Sequence, residues 1–133
     1  MKKNIYWLGL LLTTVLLMLQ ACDKNNEDGL SVNYARVVKY EIAGNYTGKL
    51  AVVYNDNVSC NTVLNNVSVL WSKEVTYSQS VTGIGIGAQA SMTGILGQTA
   101  TLKIYVNGTE VKRSSGSAGS SGELILPTIA YIF

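Results

Sequence analysis

Apolar side chains recur at every second position from Tyr34 onward. A period of two selects strands over helices. Tyr34, Arg36, Val38, Tyr40 and Ile42 fall on one face of the first such segment, and Val37, Lys39, Glu41 and Ala43 on the other. Gly44-Asn45 turns the chain, and Leu50, Val52 and Tyr54 then resume the alternation opposite Lys49 and Ala51. The two segments are expected to pair, with one buried and one wetter side. Asn55-Asp56-Asn57 and Asn65-Asn66 mark further turns, because these side chains bond their own backbone and tolerate a left-handed conformation.

Val67, Val69 and Trp71 share a face of the next segment, which places Trp71 in the core rather than on a ligand platform. Strict alternation would also bury Lys73, beside Val75 and Tyr77. A buried unpaired lysine is costly. A bend near Trp71-Ser72-Lys73 that resets the register is the expected remedy; the other is a lysine stem lying on apolar surface with its head in water. In Gly83-Ile84-Gly85-Ile86-Gly87 the isoleucines alternate with bare positions. A phosphate-cradling loop would need a helix N-terminus next, and Ala88, Gln89, Ala90 and Ser91 instead continue the strand period. The segment reads as a strand whose outer face another backbone or a ligand can approach closely.

Thr101 to Val106 alternates cleanly, and Asn107-Gly108 before Thr109 to Arg113 is a strong hairpin signal. Ser114 to Gly122 is rich in glycine and serine and reads as a solvated loop. Glu123 to Phe133 is apolar on both faces and carries the only proline, Pro127. A strand with two apolar faces should be central or covered, whereas proline belongs at an edge, a bulge or a break. A split at Pro127 reconciles the two, and this strand is the expected route to a homodimer. No segment after residue 30 has a helical period. About seven or eight short strands in one segment predict an all-β sandwich.

The first residues have a different character. Lys2 and Lys3 precede an apolar stretch from Ile5 to Leu19, too short for the ~20 residues of a membrane-crossing helix. A basic start, a short apolar core and a small residue before the break make a secretory signal over residues 1–21. Leu19-Gln20-Ala21-Cys22 resembles a bacterial lipobox, whose cysteine is lipidated and becomes the first residue; the ordinary alternative is a plain signal with an incidental cysteine. Each buried CH₂ of an acyl chain contributes ~0.8 kcal/mol, and two or more chains hold stably where one is marginal. Residues 22–30 then form a solvated tether with Asp23, Glu27 and Asp28 against Lys24. A charged stretch after the anchor cysteine is similar to the surface-export signal of Bacteroidetes lipoproteins. The expected location is therefore the outer membrane, periplasmic or surface-exposed.

Composition narrows the chemistry. Without residues 1–21 the formal charge of +2 disappears, leaving no basic patch for nucleic acid. With Cys22 in a thioether, Cys60 is the remaining thiol and reads as a buried or half-buried spectator. The chain has no histidine, which removes Ser-His-Asp and Cys-His catalysis and imidazole-held zinc. Glu41, Asp56, Glu74, Glu110 and Glu123 leave a glycosidase pair formally open, but isolated acids on strands are more often solvated faces. No catalytic residue, metal site or cofactor is expected, and the chain does not read as an enzyme.

The segment from Val38 to about Ser120 resembles the soluble domain of the MmpS family. The resemblance rests on Val38-Lys39-Tyr40-Glu41-Ile42, Asn61-Thr62-Val63, Val67-Ser68-Val69-Leu70-Trp71-Ser72-Lys73, Ile84 to Ala90, and Leu102-Lys103-Ile104-Tyr105-Val106-Asn107-Gly108, in that order. It implies a small Greek-key β-sandwich over residues 31–133, outside a membrane. It also implies a non-enzymatic accessory role beside MmpL-type, RND-class exporters of lipids or siderophores. Two features depart from the family: a lipid at Cys22 replaces its membrane helix, and Leu70 stands where relatives often have proline.

Three classes of function follow. The leading one is a lipid-anchored interaction protein that docks on another envelope protein. Its candidate surface is Lys103 and Tyr105, which share an outward parity with Thr101, together with Tyr131 and Phe133 of the last strand. The second is a glycan- or lipid-binding module using Tyr46, Tyr54, Trp71, Tyr77 and Tyr105. The third is a small outer-membrane barrel, against which the Lys- and Glu-bearing faces argue.

Overall fold

The computed structural model describes residues 35–57 and 60–133. Eight strands form there: β1 (Arg36–Gly44), β2 (Lys49–Asn55), β3 (Asn61–Val67), β4 (Trp71–Tyr77), β5 (Gly83–Met92), β6 (Thr99–Val106), β7 (Thr109–Ser117) and β8 (Ile125–Ile132). They make two four-stranded sheets, sheet A in the order β4-β1-β6-β7 and sheet B in the order β3-β2-β5-β8. All pairings are antiparallel. The all-β sandwich expected from the alternation is the fold. Both sheets are open, so the described residues do not form a barrel.

The inner faces follow the period of two. Val38, Tyr40 and Ile42 of β1 and Leu102 and Ile104 of β6 meet Leu50, Val52 and Tyr54 of β2 and Ile84 and Ile86 of β5 in one core. Within it the hydroxyls of Tyr40 and Tyr77 lie 2.9 Å apart, and Tyr77 passes the chain on by donating to the Asn55 carbonyl. Every buried side-chain polar atom among the described residues has a partner, which keeps these phenols inexpensive to bury.

Four expectations are corrected. β1 and β2 do not pair: they lie in different sheets, and each pairs with more distant strands. Two neighbouring strands that must each bury one face can do so face to face across a core as well as side by side. The bend expected at Trp71-Ser72-Lys73 is also absent. The pairing of β1 with β4 runs unbroken from Arg36 opposite Tyr77 to Ile42 opposite Trp71. Lys73 therefore does fall in the inward phase, opposite Tyr40, but β4 is an edge strand and the side chain is exposed. The break comes earlier, at residues 68–70, where the chain leaves sheet B for sheet A with Leu70 at φ +68°.

The Gly/Ser-rich segment is not all loop. β7 runs to Ser117, and Thr101 and Ser115 exchange a hydroxyl hydrogen bond of 2.8 Å across the β6–β7 pair. Small residues here are held by the ladder and not by their own strand preference. The hairpin before it is as expected: Asn107 and Gly108 take φ +48° and +84°, both central positions positive, as a two-residue turn of this hand demands. Finally, β8 is neither central nor wholly covered. It is the edge of sheet B, paired with β5 alone. Its split at Pro127 is real, since the register with β5 shifts between Ile86/Ile129 and Ala88/Leu126.

Candidate interaction surface

The outer face of sheet B carries a groove of about 460 Å³. Its floor is Ala51, Gly85 and Gly87, where β2 and β5 present little or no side chain. Val53, Asn55 and Asn61 flank it on one side, and Gln89, Ile125, Pro127 and Thr128 on the other. Gly87 is required by close approach, since a Cβ there would come 2.5 Å from Thr128 Oγ1. The sequence pattern Gly-Ile-Gly-Ile-Gly points to this floor. Its walls come from β2, β3 and β8 with Gln89 of β5, which only the register brings together. No side chain lining the groove is charged.

Sheet A is the opposite in character. On its outer face Glu41 accepts from Lys39 at 2.9 Å and from Lys103 at 3.2 Å. Tyr105 donates weakly to the same carboxylate at 3.4 Å, and Lys39 Nζ sits 4.4 Å from the Tyr105 ring centre. The Lys39 hydrogen bond, with Lys103 behind it, holds the Glu41 carboxyl below its usual range. Arg113 does the same for Glu110 through a two-pronged pair at 2.7 and 3.0 Å. These acids are engaged by neighbouring bases on a solvated face, where such pairs add little to stability.

Lys103 and Tyr105 thus share one outer surface, but Tyr131 and Phe133 do not join them. Both of the latter are half-buried against the core at the end of β8. Their rings meet edge-on at 5.5 Å, Phe133 packs on Tyr77, and the Arg36 guanidinium stacks 4.3 Å from the Phe133 centre while bonding the Val81 carbonyl. Tyr46, Tyr54 and Tyr77 are buried, so three of the five aromatics that would serve a ligand platform belong to the core. Trp71 is half-buried against Tyr54 at 5.7 Å.

Cys60 is an exposed free thiol rather than a buried one. It sits at φ +67° in the β2–β3 turn, where its carbonyl accepts from Asp56 N–H and from Asn55 Nδ2. Among the described residues no cluster of three or more His, Cys, Asp or Glu could hold a metal, and no helix is long and apolar enough to cross a membrane. Cys22, the expected lipidation site, lies outside the described residues, as do the signal and tether segments.

The two ends of the sandwich differ. Arg36, the first strand residue, stands at the end that carries the β2–β3, β4–β5 and β6–β7 connections. The other end carries Leu70, Met92, Ile95 and Leu96, all large, apolar and exposed. Hydrogen bonds tie the segment around Met92, Ile95 and Leu96 to the neighbouring connections. The Tyr46 hydroxyl accepts from Gly94 N–H and shares its proton between the carbonyls of Gly122 and Met92. Gln98 Oε1 accepts from the amides of Thr47 and Ile95. In the sequence only Leu70 stands out, as a departure from the family pattern, and none of the four is marked as surface, because alternation says nothing about the ends of strands and the tips of loops.

Comparison of the chain with protein-family models and with curated proteins gives no match.

Proposed function

We propose that the chain is a cell-envelope lipoprotein, anchored through an acylated Cys22, with a non-enzymatic accessory role beside an RND-class exporter of lipids or siderophores. The observation that carries the reading is the junction Leu19-Gln20-Ala21-Cys22, which closes a short apolar core and opens an acidic tether. The MmpS resemblance supports the exporter. Fourteen residue steps separate Cys22 from Arg36. Fully extended they reach about 46–50 Å, ample to clear the lipid headgroups. The sandwich end that bears Leu70, Met92, Ile95 and Leu96 is the surface proposed to meet the exporter, since large apolar side chains gathered in solvent mark interaction sites.

The test is crosslinking in intact envelopes followed by purification of the native chain. An RND-class subunit should be recovered, and Ile95→Asp with Leu96→Asp should release it while leaving the chain folded and anchored. Recovery of no such subunit, or recovery undisturbed by the two substitutions, overturns the partnership.

A further inference from the structure

We propose that residues 130–132 of β8 pair antiparallel with the same segment of a second copy, extending sheet B across a two-fold axis. The argument starts from which way the backbone points. Phe133 N–H donates to the Thr82 carbonyl at 3.0 Å, and Tyr131 and Ile129 stand opposite Ile84 and Ile86. In an antiparallel ladder successive residues alternate between facing the partner strand and facing away. The N–H and C=O of Ala130 and Ile132 therefore point to the open side. Among the described residues no hydrogen bond from outside β5 reaches either of them.

The other three edges are defended in the ways natural sheets use. β4 carries Glu74 and the inward-phase Lys73, and β7 carries Glu110, Lys112 and Arg113. β3 is broken by a register shift near Asn66, at φ +60°, and Asp56, Lys73 and Glu74 line the cleft along its flank. β8 is defended only over its first half. There Pro127 and the bulge interrupt it, and Gly116 of β7 closes on the Ile125 carbonyl. Beyond Thr128 the segment Thr128-Ile129-Ala130-Tyr131-Ile132 has no charge and no break, and Ile132 is 79 % exposed.

A second copy is the occupant this edge fits. A two-fold axis sets like against like, so any charge would face itself, and here there is none. Centred on Tyr131, the pairing puts Ala130 of each copy opposite Ile132 of the other, and each pair exchanges both of its N–H···O bonds. The outer faces of the two copies of sheet B, uncharged along the groove, become continuous. The pairing does not need the anchor, so it stands or falls separately from the lipoprotein reading.

The full chain extracted from membranes in detergent should show twice the single-chain protein mass by light scattering. Ala130→Pro removes an outward N–H that the monomer does not use, and Ile132→Lys places like charges across the axis. Each should weaken the dimer at least ~tenfold while the chain stays folded, with a cooperative thermal transition that no longer depends on protein concentration. Cys22→Ala should dimerise as the parent does. A parent of single-chain mass, a folded Ile132→Lys that remains fully dimeric, a Cys22→Ala chain that is monomeric, or an edge occupied by another protein's strand would each overturn the proposal. Should Ala130→Pro unfold, Ile132→Lys still decides, because its side chain is exposed.

Discussion

Leu126 and Ile129 both face the core although they lie three positions apart along β8. A regular strand would send one of them to solvent. The shift at Pro127 absorbs the odd residue, so Leu124 and Leu126 point inward before it and Ile129, Tyr131 and Phe133 after it. Deleting Thr128 leaves only Pro127 between Leu126 and Ile129, so strict alternation then carries Ile129, Tyr131 and Phe133 inward without the bulge. Deleting Pro127 as well makes Leu126 and Ile129 adjacent and turns Ile129, Tyr131 and Phe133 outward. Each large apolar side chain lost from burial costs ~1.5–3 kcal/mol. The single deletion should keep a cooperative thermal transition and the double deletion should lose it; the reverse order would contradict this account of β8.

The phenol chain gives an asymmetric pair of substitutions. Tyr40→Phe removes the first donor and leaves Tyr77 bonded to the Asn55 carbonyl, costing ~1 kcal/mol. Tyr77→Phe leaves both the Tyr40 hydroxyl and that carbonyl without this partner, costing ~1–3 kcal/mol. Urea unfolding should rank Tyr77→Phe as the worse, and equal costs would mean the chain does not act as a relay.

The same pair sets an alkaline limit. Burial, reinforced by the Tyr77 hydrogen bond, pushes the Tyr40 hydroxyl well above its ordinary value, and burial raises Tyr77 as well. Unfolded tyrosines ionise near ~pH 10. Above that the unfolded chain releases protons that the folded chain keeps, so stability is complete below ~pH 10 and falls as pH rises further. Tyr40→Phe should flatten the fall between ~pH 9 and ~pH 11 in urea titrations. An unchanged slope in the variant would place the limit elsewhere.

Leu70 is held at φ +68° with its side chain 82 % exposed. The left-handed region costs a residue with a Cβ roughly 1–2 kcal/mol, and glycine escapes most of it. Leu70→Gly should raise stability by about 0.5 kcal/mol or more, after the greater chain entropy of glycine is subtracted. Leu70→Val, branched at Cβ, should lower it. Thermal melts of the two variants check both signs. A more stable Leu70→Gly that loses partner capture would show that the leucine is retained for contact.

Much of the sandwich was legible because burial on one face writes a period of two into Val38-Tyr40-Ile42, Leu50-Val52-Tyr54 and Leu102-Ile104. Asn107-Gly108 was legible for a different reason, since few pairs tolerate two positive φ values in succession. What alternation cannot encode is which strand lies beside which. β1 and β2 look like a pair and are not, and Lys73 looks forbidden until β4 is known to be an edge. The groove was half legible: its glycine floor is local in sequence, while Val53, Asn61 and Ile125 meet over it only through register. Tyr131 and Phe133 were expected on an interaction surface, but the shift at Pro127 turns them toward the core. The tips at Ile95 and Leu96 left no signal, and Leu70 only a departure from the family pattern, since exposure in a loop has no period.

The most direct test of the central claim is the intact mass of the chain purified from membranes. The account predicts a polypeptide that begins at Cys22 and carries the added mass of a diacylglyceryl thioether, with or without a further acyl group, and Cys22→Ala should leave residues 1–21 attached. A membrane-derived chain with an unmodified Cys22, or one cleaved elsewhere, would contradict the account.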